Sequence, residues 1–432
     1  MTMPEDIRQL LQSAEQQLRA GNFQASRETY AQVLRKDPGC VPATHALGWI
    51  ALRLGENQAA AELLSRAAQL APGAAPLHID LAVAYDRTGD AGRAILHLRQ
   101  AIALNPASSN PYRVLGQLLL HHGQTADALE ALRGWARIEN SAAAHYELGT
   151  ALAQSGDPKS AVEHLRRAVA LRPDHGSAYC NLGLALEDAG QKEQAAEALR
   201  HAIRLMPDPS VAQYHLAALG AGAPPATCPP RYLVELFDNY ADRFEHHLVT
   251  TLGYQGPQLL LDIVKSANPE LPLDVMDLGC GTGLCGVLFR PLARTLVGID
   301  LAPRMIAASK SRKVYDDLLQ SDLTPALESR PQGFDLLLAA DVFIYIGDLS
   351  PLFRSAATAL RPGGLFAFTI ERTDSADFLV LPTRSYAQSP DYIRRLSDQF
   401  GFQELASKDA TLRAGETGDV PGTVFLLRRS AP

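Results

Sequence analysis

The sequence predicts two domains, an all-α array of helices followed by an α/β domain with an open, mostly parallel sheet. Two observations predict this fold class: a pattern that repeats every 34 residues in the first half, and a strand, glycine loop and helix at residues 273–286. The 432 residues are enough to give each domain its own core. The predicted boundaries are 1–219 for the array, 220–230 for a proline- and glycine-rich linker, and 231–432 for the α/β domain.

The repeat runs through residues 5–208. Pro38, Pro72 and Pro106 recur at a spacing of 34 residues. A mid-unit glycine recurs at Gly21, Gly55, Gly89, Gly123, Gly156 and Gly190, and a leucine followed by a small residue recurs at Leu47-Gly48, Leu81-Ala82, Leu115-Gly116, Leu148-Gly149 and Leu182-Gly183. The glycine predicts a turn between two helices, the small residue permits their close approach, and the proline ends the second helix. The pattern resembles the tetratricopeptide repeat (TPR) and predicts about six repeats followed by a capping helix.

The resemblance to TPR arrays implies a superhelix whose concave face binds protein. His45 and Trp49 lie four residues apart on one helix, so we expect them to face this groove. Packing between repeats is the alternative for Trp49. A protein partner or substrate in the groove is therefore expected, and the oligomeric state stays open.

The segment LDVMDLGCGTGLCG at residues 273–286 is the first candidate ligand-binding motif of the α/β domain. A buried strand ends on Asp277, three glycines follow at alternate positions, and an apolar helix begins at Leu284. Such a loop presents bare backbone N–H groups at the carboxyl end of a strand, where open α/β sheets bind ligands. The segment resembles motif I of the class I methyltransferases that depend on S-adenosylmethionine (SAM). The resemblance implies a cofactor site that includes Asp277, Gly279, Cys280, Gly281 and Gly283.

Two later acidic residues extend the resemblance. Asp300 ends the next predicted strand, 17 residues after Gly283, which suits a carboxylate that accepts from the ribose hydroxyls. Leu301 follows it in the predicted cofactor site. By resemblance, Asp322 lies beside the adenine amine and the backbone of Leu323 beside a ring nitrogen. A helix cap or a surface position is the alternative for Asp300, and a turn cap for Asp322.

The predicted strand 334–340 ends at Asp341, where the family places the methyl group and its acceptor. Asp341 and Tyr345 are therefore the candidate catalytic residues, and Asp341 is also expected at the cofactor. Cofactor contact alone, or loop stabilisation, is the alternative. In the helical lead-in at residues 231–270, Tyr240 is expected beside the sulfonium because aromatic faces attract cations. Packing on the sheet is its alternative.

The remaining segments complete the predicted domain. The turn RPGG at residues 361–364 precedes a strand, and two last strands form a hairpin at the end of a seven-stranded, Rossmann-like sheet. Residues 231–432 thus resemble class I methyltransferases, and the whole chain resembles a bacterial group of TPR-containing methyltransferases. This resemblance implies methyl transfer from SAM but fixes no acceptor, and our leading hypothesis for the acceptor is a protein recruited or oriented by the array. The alternatives are a small-molecule methyltransferase whose array serves assembly, and a scaffold protein with a non-catalytic SAM-binding domain.

Composition excludes several other classes. The net charge of −7 argues against a nucleic-acid partner, and no apolar run reaches the length of a membrane span. The five cysteines form no C-x-x-C pair, which predicts free thiols and a cytoplasmic location. No metal site is expected, so SAM is the one expected cofactor.

Overall fold

The structure is a computed structural model that describes residues 3–415 and 418–430, apart from the side chains of residue 235 and residues 239–243. Contacts between Cα atoms divide the chain into two compact units, Met1–Gln191 and Lys192–Pro432. The predicted boundaries at residues 219 and 231 therefore do not coincide with this division, and they stay a prediction.

The helices of the first unit follow the predicted 34-residue phase and confirm the array. They are α1 (Glu5–Arg19), α2 (Phe23–Lys36), α3 (Val41–Leu54), α4 (Asn57–Leu70), α5 (Ala75–Arg87), α6 (Ala91–Leu104), α7 (Ser109–His121), α8 (Thr125–Ile138), α9 (Ala142–Gln154), α10 (Pro158–Leu171) and α11 (Gly176–Asp188). The recurring glycines adopt positive φ between 71° and 84°, the conformation that ends a first helix and turns the chain.

The leucine–glycine pairs bring the two helices of a repeat into close contact. A Cβ added at Gly48 would lie 2.6 Å from Leu64 Cγ, and one at Gly149 would lie 2.7 Å from Leu165 Cγ. The leucine is fully buried in each case. The small residue is therefore required by packing.

The second unit begins with helices that precede its sheet. They are α12 (Lys192–Leu205), α13 (Ser210–Ala218), α14 (Pro230–Glu245), a π-helical turn (His246–Thr251) and α15 (Gly256–Ser266). The predicted lead-in is thus helical.

Strands and helices then alternate as a doubly wound fold requires. The elements are β1 (Leu273–Leu278), α16 (Leu284–Phe289), β2 (Ala293–Asp300), α17 (Pro303–Arg312), β3 (Asp317–Gln320), α18 (Leu323–Glu328), β4 (Phe334–Ala339), α19 (Ser350–Ala359), β5 (Leu360–Arg372), β6 (Phe378–Val380), β7 (Tyr386–Gln388), α20 (Pro390–Phe400), β8 (Phe402–Gly415) and β9 (Gly418–Arg429). Strands β3, β2, β1, β4 and β5 are parallel neighbours in that order, and β9 and β8 continue antiparallel.

The predicted sheet is confirmed, with one addition. Among the described residues the sheet has nine strands, because the short hairpin β6–β7 pairs with β5 where β4 has already ended. Its strands are only three residues long, too short for a periodic sequence signal. The hairpin lies at the carboxyl edge of the sheet, which matters for the site described below.

Helices cover both faces of the sheet. Val275 and Leu336 pack with α15 and α16 on one face, while Met276 and Leu337 pack with α19 and α20 on the other. Neighbouring residues of β1 and β4 therefore face opposite layers, as strand geometry requires. In the described part of the chain, none of the helices combines the length and the apolar character that a membrane span needs.

An ion-pair network joins the strands at the opposite edge of the sheet. Asp274 on β1 accepts from Arg294 Nε at 3.0 Å and from Arg361 at 2.8 Å, and Arg361 also donates to Asp335 at 2.7 Å. The RPGG sequence at residues 361–364, predicted as a turn before the strand, lies within β5 and contributes a structural arginine. Hydrogen bonds from Arg294 lower the pKa of Asp274 to about 2.

We predict that Asp274→Asn lowers the free energy of unfolding of the second unit by about 2 kcal/mol at pH 7, since each pKa unit corresponds to about 1.4 kcal/mol. Because the folded pKa is depressed, this stabilisation is complete above the unfolded value of 3.8 and falls as the pH approaches 2. The difference between the two proteins, measured by scanning calorimetry, should therefore fall to about half at pH 3. Asp262→Asn, at an exposed helix position, is the control, and an equal difference at both pH values would contradict the prediction.

Candidate active site

A cavity of about 360 Å³ opens at the carboxyl ends of β1, β2 and β4. It brings together most residues that the sequence places in the site: Asp277, Gly279, Cys280, Gly281, Asp300, Leu301, Asp322, Leu323, Asp341 and Tyr345. Gly283 is outside the lining, since it faces α17, where an added Cβ would lie 2.9 Å from Arg312 Cδ. The side chain of Tyr240 lies outside the described residues.

The glycine loop is held in a conformation that side chains would disfavour. Gly279, Gly281 and Gly283 have φ of 63°, 55° and 92°. A Cβ at Gly279 would lie 2.7 Å from Val342 Cγ2. Ser309 Oγ on α17 donates to the carbonyl of Gly281 at 2.6 Å and fixes the loop from below. Residues 279–282 of this loop line the cavity.

Asp300 is fixed by two backbone donors. Its Oδ2 accepts from Gly281 N at 2.9 Å, and its Oδ1 accepts from Ala302 N at 2.9 Å. Burial raises the pKa of the Asp300 carboxyl, while the N–H groups of Ala302 and Gly281 oppose this rise. Each oxygen keeps a lone pair for a further donor, as a pair of ribose hydroxyls would supply.

Asp277 accepts a 2.6 Å hydrogen bond from Tyr315 Oη. Burial raises the pKa of Asp277 to about 7, and the Tyr315 hydrogen bond limits the rise. Sequence reasoning missed Tyr315, which follows α17 and reaches the β1 end from 38 residues away. No local motif marks such a contact.

Asp322 precedes α18 but makes no side-chain hydrogen bond that caps this helix. It lines the cavity next to Leu323 and Ser321. No side-chain hydrogen bond therefore supports the alternative that Asp322 caps this helix. The role of Asp322 at adenine stays a prediction.

At the other end of the cavity, Asp341 joins a buried charge network. Arg413 on β8 pairs with both Asp341 and Glu371, and their side chains are 15%, 12% and 4% exposed. Asp341 has a φ of 55°, and its N–H donates to Thr369 Oγ1 at 2.9 Å. Burial raises the pKa of Asp341 to about 6, and the charge of Arg413 opposes the rise. Arg413 was missed because it lies 72 residues away in a strand without a motif.

Apolar side chains of the lead-in wall this end. Phe237, Leu248 and Leu252 line the cavity, and the ring of Phe237 meets that of Tyr345 edge-on at 5.3 Å. α14 is anchored to α17 because Arg304 N and Nη1 donate to Asp238 Oδ1 at 3.2 Å and to its backbone carbonyl at 2.6 Å. The lead-in helices therefore cover the cavity.

In the array, the two predicted groove residues have partners. His45 Nε2 lies 2.6 Å from Asp80 Oδ2 of the next repeat. Trp49 is half-buried against the first helices, with the Arg53 guanidinium 5.6 Å from its ring centroid. Both residues thus contribute to packing within the array, and a role in partner binding stays a prediction.

Comparison with known proteins identifies two families in the chain. Residues 276–368 match the methyltransferase domain family, and residues 11–75, 79–144 and 146–209 match the tetratricopeptide repeat family. A crystal structure of the 1,6-didemethyltoxoflavin-N1-methyltransferase of Burkholderia thailandensis is 15% identical with a TM-score of 0.39, covering 48% of this chain and 92% of that one.

Curated relatives match part of the chain. The ubiquinone biosynthesis O-methyltransferase of Methylobacterium sp. (strain 4-46) is 37% identical over 170 residues, which cover 37% of this chain and 66% of that protein. The protein of the same name from Bartonella tribocorum is 30% identical over 134 residues, covering 29% and 53%. The chain thus spans somewhat less than two thirds of the first relative and about half of the second.

The fold and the matches define the class: TPR repeats precede a class I methyltransferase domain, and SAM is the methyl donor of such domains. The cavity fits this cofactor. Asp300 keeps acceptor capacity for hydroxyls, and Thr282 Oγ1, in the glycine loop, is buried without a partner among the described residues. Asp277 and Asp341 supply negative charge for a cationic ligand.

We predict that SAM binds more tightly at pH 8 than at pH 6, by up to about tenfold, because Asp277 is mostly neutral below its pKa of about 7. A cation favours the ionised carboxylate, so binding at pH 6 should release a proton. Calorimetric titrations in two buffers of different ionisation enthalpy measure that release. Asp277→Asn should remove most of the pH dependence and leave the smaller contribution of Asp341, whose pKa is about 6, and heats independent of the buffer would contradict the prediction.

We predict that Arg413→Met destabilises the second unit by about 3–5 kcal/mol, because it leaves Asp341 and Glu371 buried without a counter-charge. The pKa of Asp341 would rise further in the variant. The variant would therefore lose more stability than the wild type as the pH increases from 5.5 to 8. Arg413→Lys keeps the charge and should lose less. Scanning calorimetry at both pH values tests this, and the exposed Arg394→Met, expected to cost under about 1 kcal/mol, is the control.

Proposed function

We propose that the protein is a SAM-dependent methyltransferase whose TPR array binds the protein that carries or presents the methyl acceptor. The observation that supports the enzyme most directly is the joint placement of the glycine loop, Asp300, Asp322 and Asp341 around one cavity. A scaffold with a non-catalytic domain would not need the buried Asp341 and Arg413 at the other end of the cavity, which we call the acceptor end.

The cofactor half of the cavity suggests these roles. Asp300 accepts from the ribose hydroxyls, with Leu301 beside the ribose, and Asp322 with the backbone of Leu323 binds adenine. The glycine loop, Cys280 and Thr282 face the amino-acid part. Asp277 and Asp341 balance positive charge. Tyr240, on the lead-in, is proposed at the sulfonium by family resemblance.

The reaction needs little acid–base chemistry. Bound SAM supplies an activated methyl group. The chain's own contribution is to align the acceptor, exclude water with the apolar side chains of the lead-in, and take the acceptor's proton. Asp341 suits that last step, because a buried carboxylate with a pKa of about 6 is ionised at neutral pH and still basic. Tyr345 is proposed to orient the acceptor.

The array supports a protein partner, since TPR superhelices present extended binding surfaces. The five cysteines are free and buried, which supports the cytoplasm as the location. A nucleic-acid partner is not proposed, given the net charge of −7.

A small-molecule hydroxyl acceptor is the second candidate. It is favoured by the curated relatives, which are ubiquinone biosynthesis O-methyltransferases, and by the largely apolar wall of the acceptor end. In that case the array would serve assembly.

The first test is calorimetric titration of the full chain with SAM, and with NAD as the control ligand. We predict that SAM binds and NAD does not, and that Asp300→Ala weakens SAM binding about tenfold to a hundredfold through loss of charged hydrogen bonds. Asp317→Ala, on the edge strand and outside the cavity lining, should change nothing. Equal SAM affinity of the wild type and Asp300→Ala would remove Asp300 from the ribose role.

The second step uses SAM with a radiolabelled methyl group in a cell lysate, separated afterwards into protein and small-molecule fractions. A labelled protein would support the protein acceptor if the labelling requires the full chain and decreases with Trp49→Ala. Label among small molecules would favour the second candidate. SAM binding with no label in either fraction would point to a non-catalytic scaffold.

A further inference from the structure

The segment that leads from the array into the α/β part forms a wall of the cavity. Thr227, Cys228 and Pro230 line the cavity, and Cys228 is fully buried. This wall stands beside Tyr345, at the end opposite Asp300 and Asp322. Sequence composition predicts only a linker here.

Backbone hydrogen bonds fasten this wall to the loop that follows β4. The carbonyl of Ala226 accepts from Gly347 N at 2.9 Å and from Asp348 N at 2.8 Å. Cys228 N donates to the carbonyl of Tyr345 at 2.9 Å, and residues 227 and 346 form an antiparallel bridge. The segment therefore pairs with the backbone that carries Tyr345 as a short extra strand would.

Helix α13 and the β6–β7 hairpin hold the wall from behind. Tyr214 on α13 is fully buried, packs against Cys228 and Tyr386, and donates through Oη to the carbonyl of Arg384. Tyr386 Oη donates to the carbonyl of Pro225 at 2.9 Å. All of these residues belong to the unit Lys192–Pro432.

There is little room for this arrangement to relax. A Cβ at Gly347 would lie 2.6 Å from Tyr386 Cε1. From the same strand β7, Gln388 Nε2 donates to the carbonyls of Phe343 at 2.8 Å and Ile346 at 2.7 Å. The loop with Tyr345 is thus held between the connecting segment and the hairpin.

We propose that Thr227, Cys228 and Pro230 determine which groups fit at the acceptor end of the cavity, and that Tyr214 positions them. The proposal rests on the proposed function, because it takes this end of the cavity as the place where methyl group and acceptor meet. Its physical reason is the close packing of Cys228: an added or removed group at this side chain changes the space next to Tyr345 directly. The ligands concerned are apolar substituents next to the reacting carbon.

The test compares two ligands of the full chain by calorimetric titration. S-adenosylhomocysteine has no transferable group, so it reports on the cofactor half. The SAM analogue with an allyl group in place of the methyl group extends into the acceptor half. We expect Cys228→Leu to weaken binding of the allyl analogue about tenfold relative to S-adenosylhomocysteine, because overpacking opposes the larger substituent. Cys228→Ala should change the ratio in the opposite direction.

The second variant keeps the test decisive if the first one fails to fold. Cys228→Ala removes volume and should fold even where Cys228→Leu does not. The matched controls are Cys180→Leu and Cys180→Ala, at a buried cysteine of the array. They should leave both affinities unchanged. An unchanged ratio of the two affinities in both Cys228 variants would overturn the wall assignment.

Amide hydrogen exchange of the full chain tests the role of Tyr214. Tyr214→Ala should speed exchange in residues 345–348 about tenfold or more, while residues 273–283 keep their protection. Tyr214→Phe, which keeps the ring, should keep most of the protection of residues 345–348. Tyr30→Ala, at a buried tyrosine of the first unit, is the control. Unchanged exchange in residues 345–348, or an equal loss across residues 273–283, would show that Tyr214 has no positioning role.

The two proposals fail in distinguishable ways. A wild-type chain that binds neither SAM nor S-adenosylhomocysteine would overturn the proposed function and, with it, the assignment of the wall to acceptor selection. Normal binding of both ligands together with an unchanged ratio in the Cys228 variants would overturn only the wall assignment.

Discussion

Parallel pairing of β1 with both β2 and β4 is the constraint on which the site depends. The register sets Asp277 beside Gly298 on β2 and Leu338 on β4, so all three strands end at one edge of the sheet. The glycine loop, Asp300 and Asp341 follow those ends directly and therefore meet without further adjustment. The pairing itself depends on burial of both faces of the sheet, since strands of this kind are stable only between two layers of helices.

Acidic side chains at the two edges of the sheet lie in different surroundings, and their pKa values shift in opposite directions. At the edge away from the cavity, Asp274 lies among arginines that lower its pKa and stabilise the ionised form. At the cavity edge, Asp277 and Asp341 are buried with less compensation, and their pKa values rise towards 7 and 6. Carboxylates held at a cost to folding are common at functional sites, because a cationic ligand can recover that cost on binding.

The methyltransferase domain and the helices before it form a single compact unit from Lys192 onward. The last helix before the connecting segment packs on the hairpin β6–β7, and the connecting segment pairs with the loop that carries Tyr345. These hydrogen-bonded and buried contacts all lie within the unit Lys192–Pro432, while the predicted domain boundaries at residues 219 and 231 stay a prediction. A cut at residue 231 would expose Tyr386 and remove one wall of the cavity.

The sequence by itself determined the array, the order of the strands and the residues that follow them. These features depend on short-range rules: the 34-residue phase, the glycines in the turns, and the acidic residues immediately after buried strands. Tertiary structure alone decided which distant side chains complete the site. Arg413, Tyr315 and Cys228 reach it from a later strand, a loop and the connecting segment. Their contacts span up to 117 residues of chain, as in the pairing of Cys228 with Tyr345, and no local pattern encodes the packing that brings such residues together.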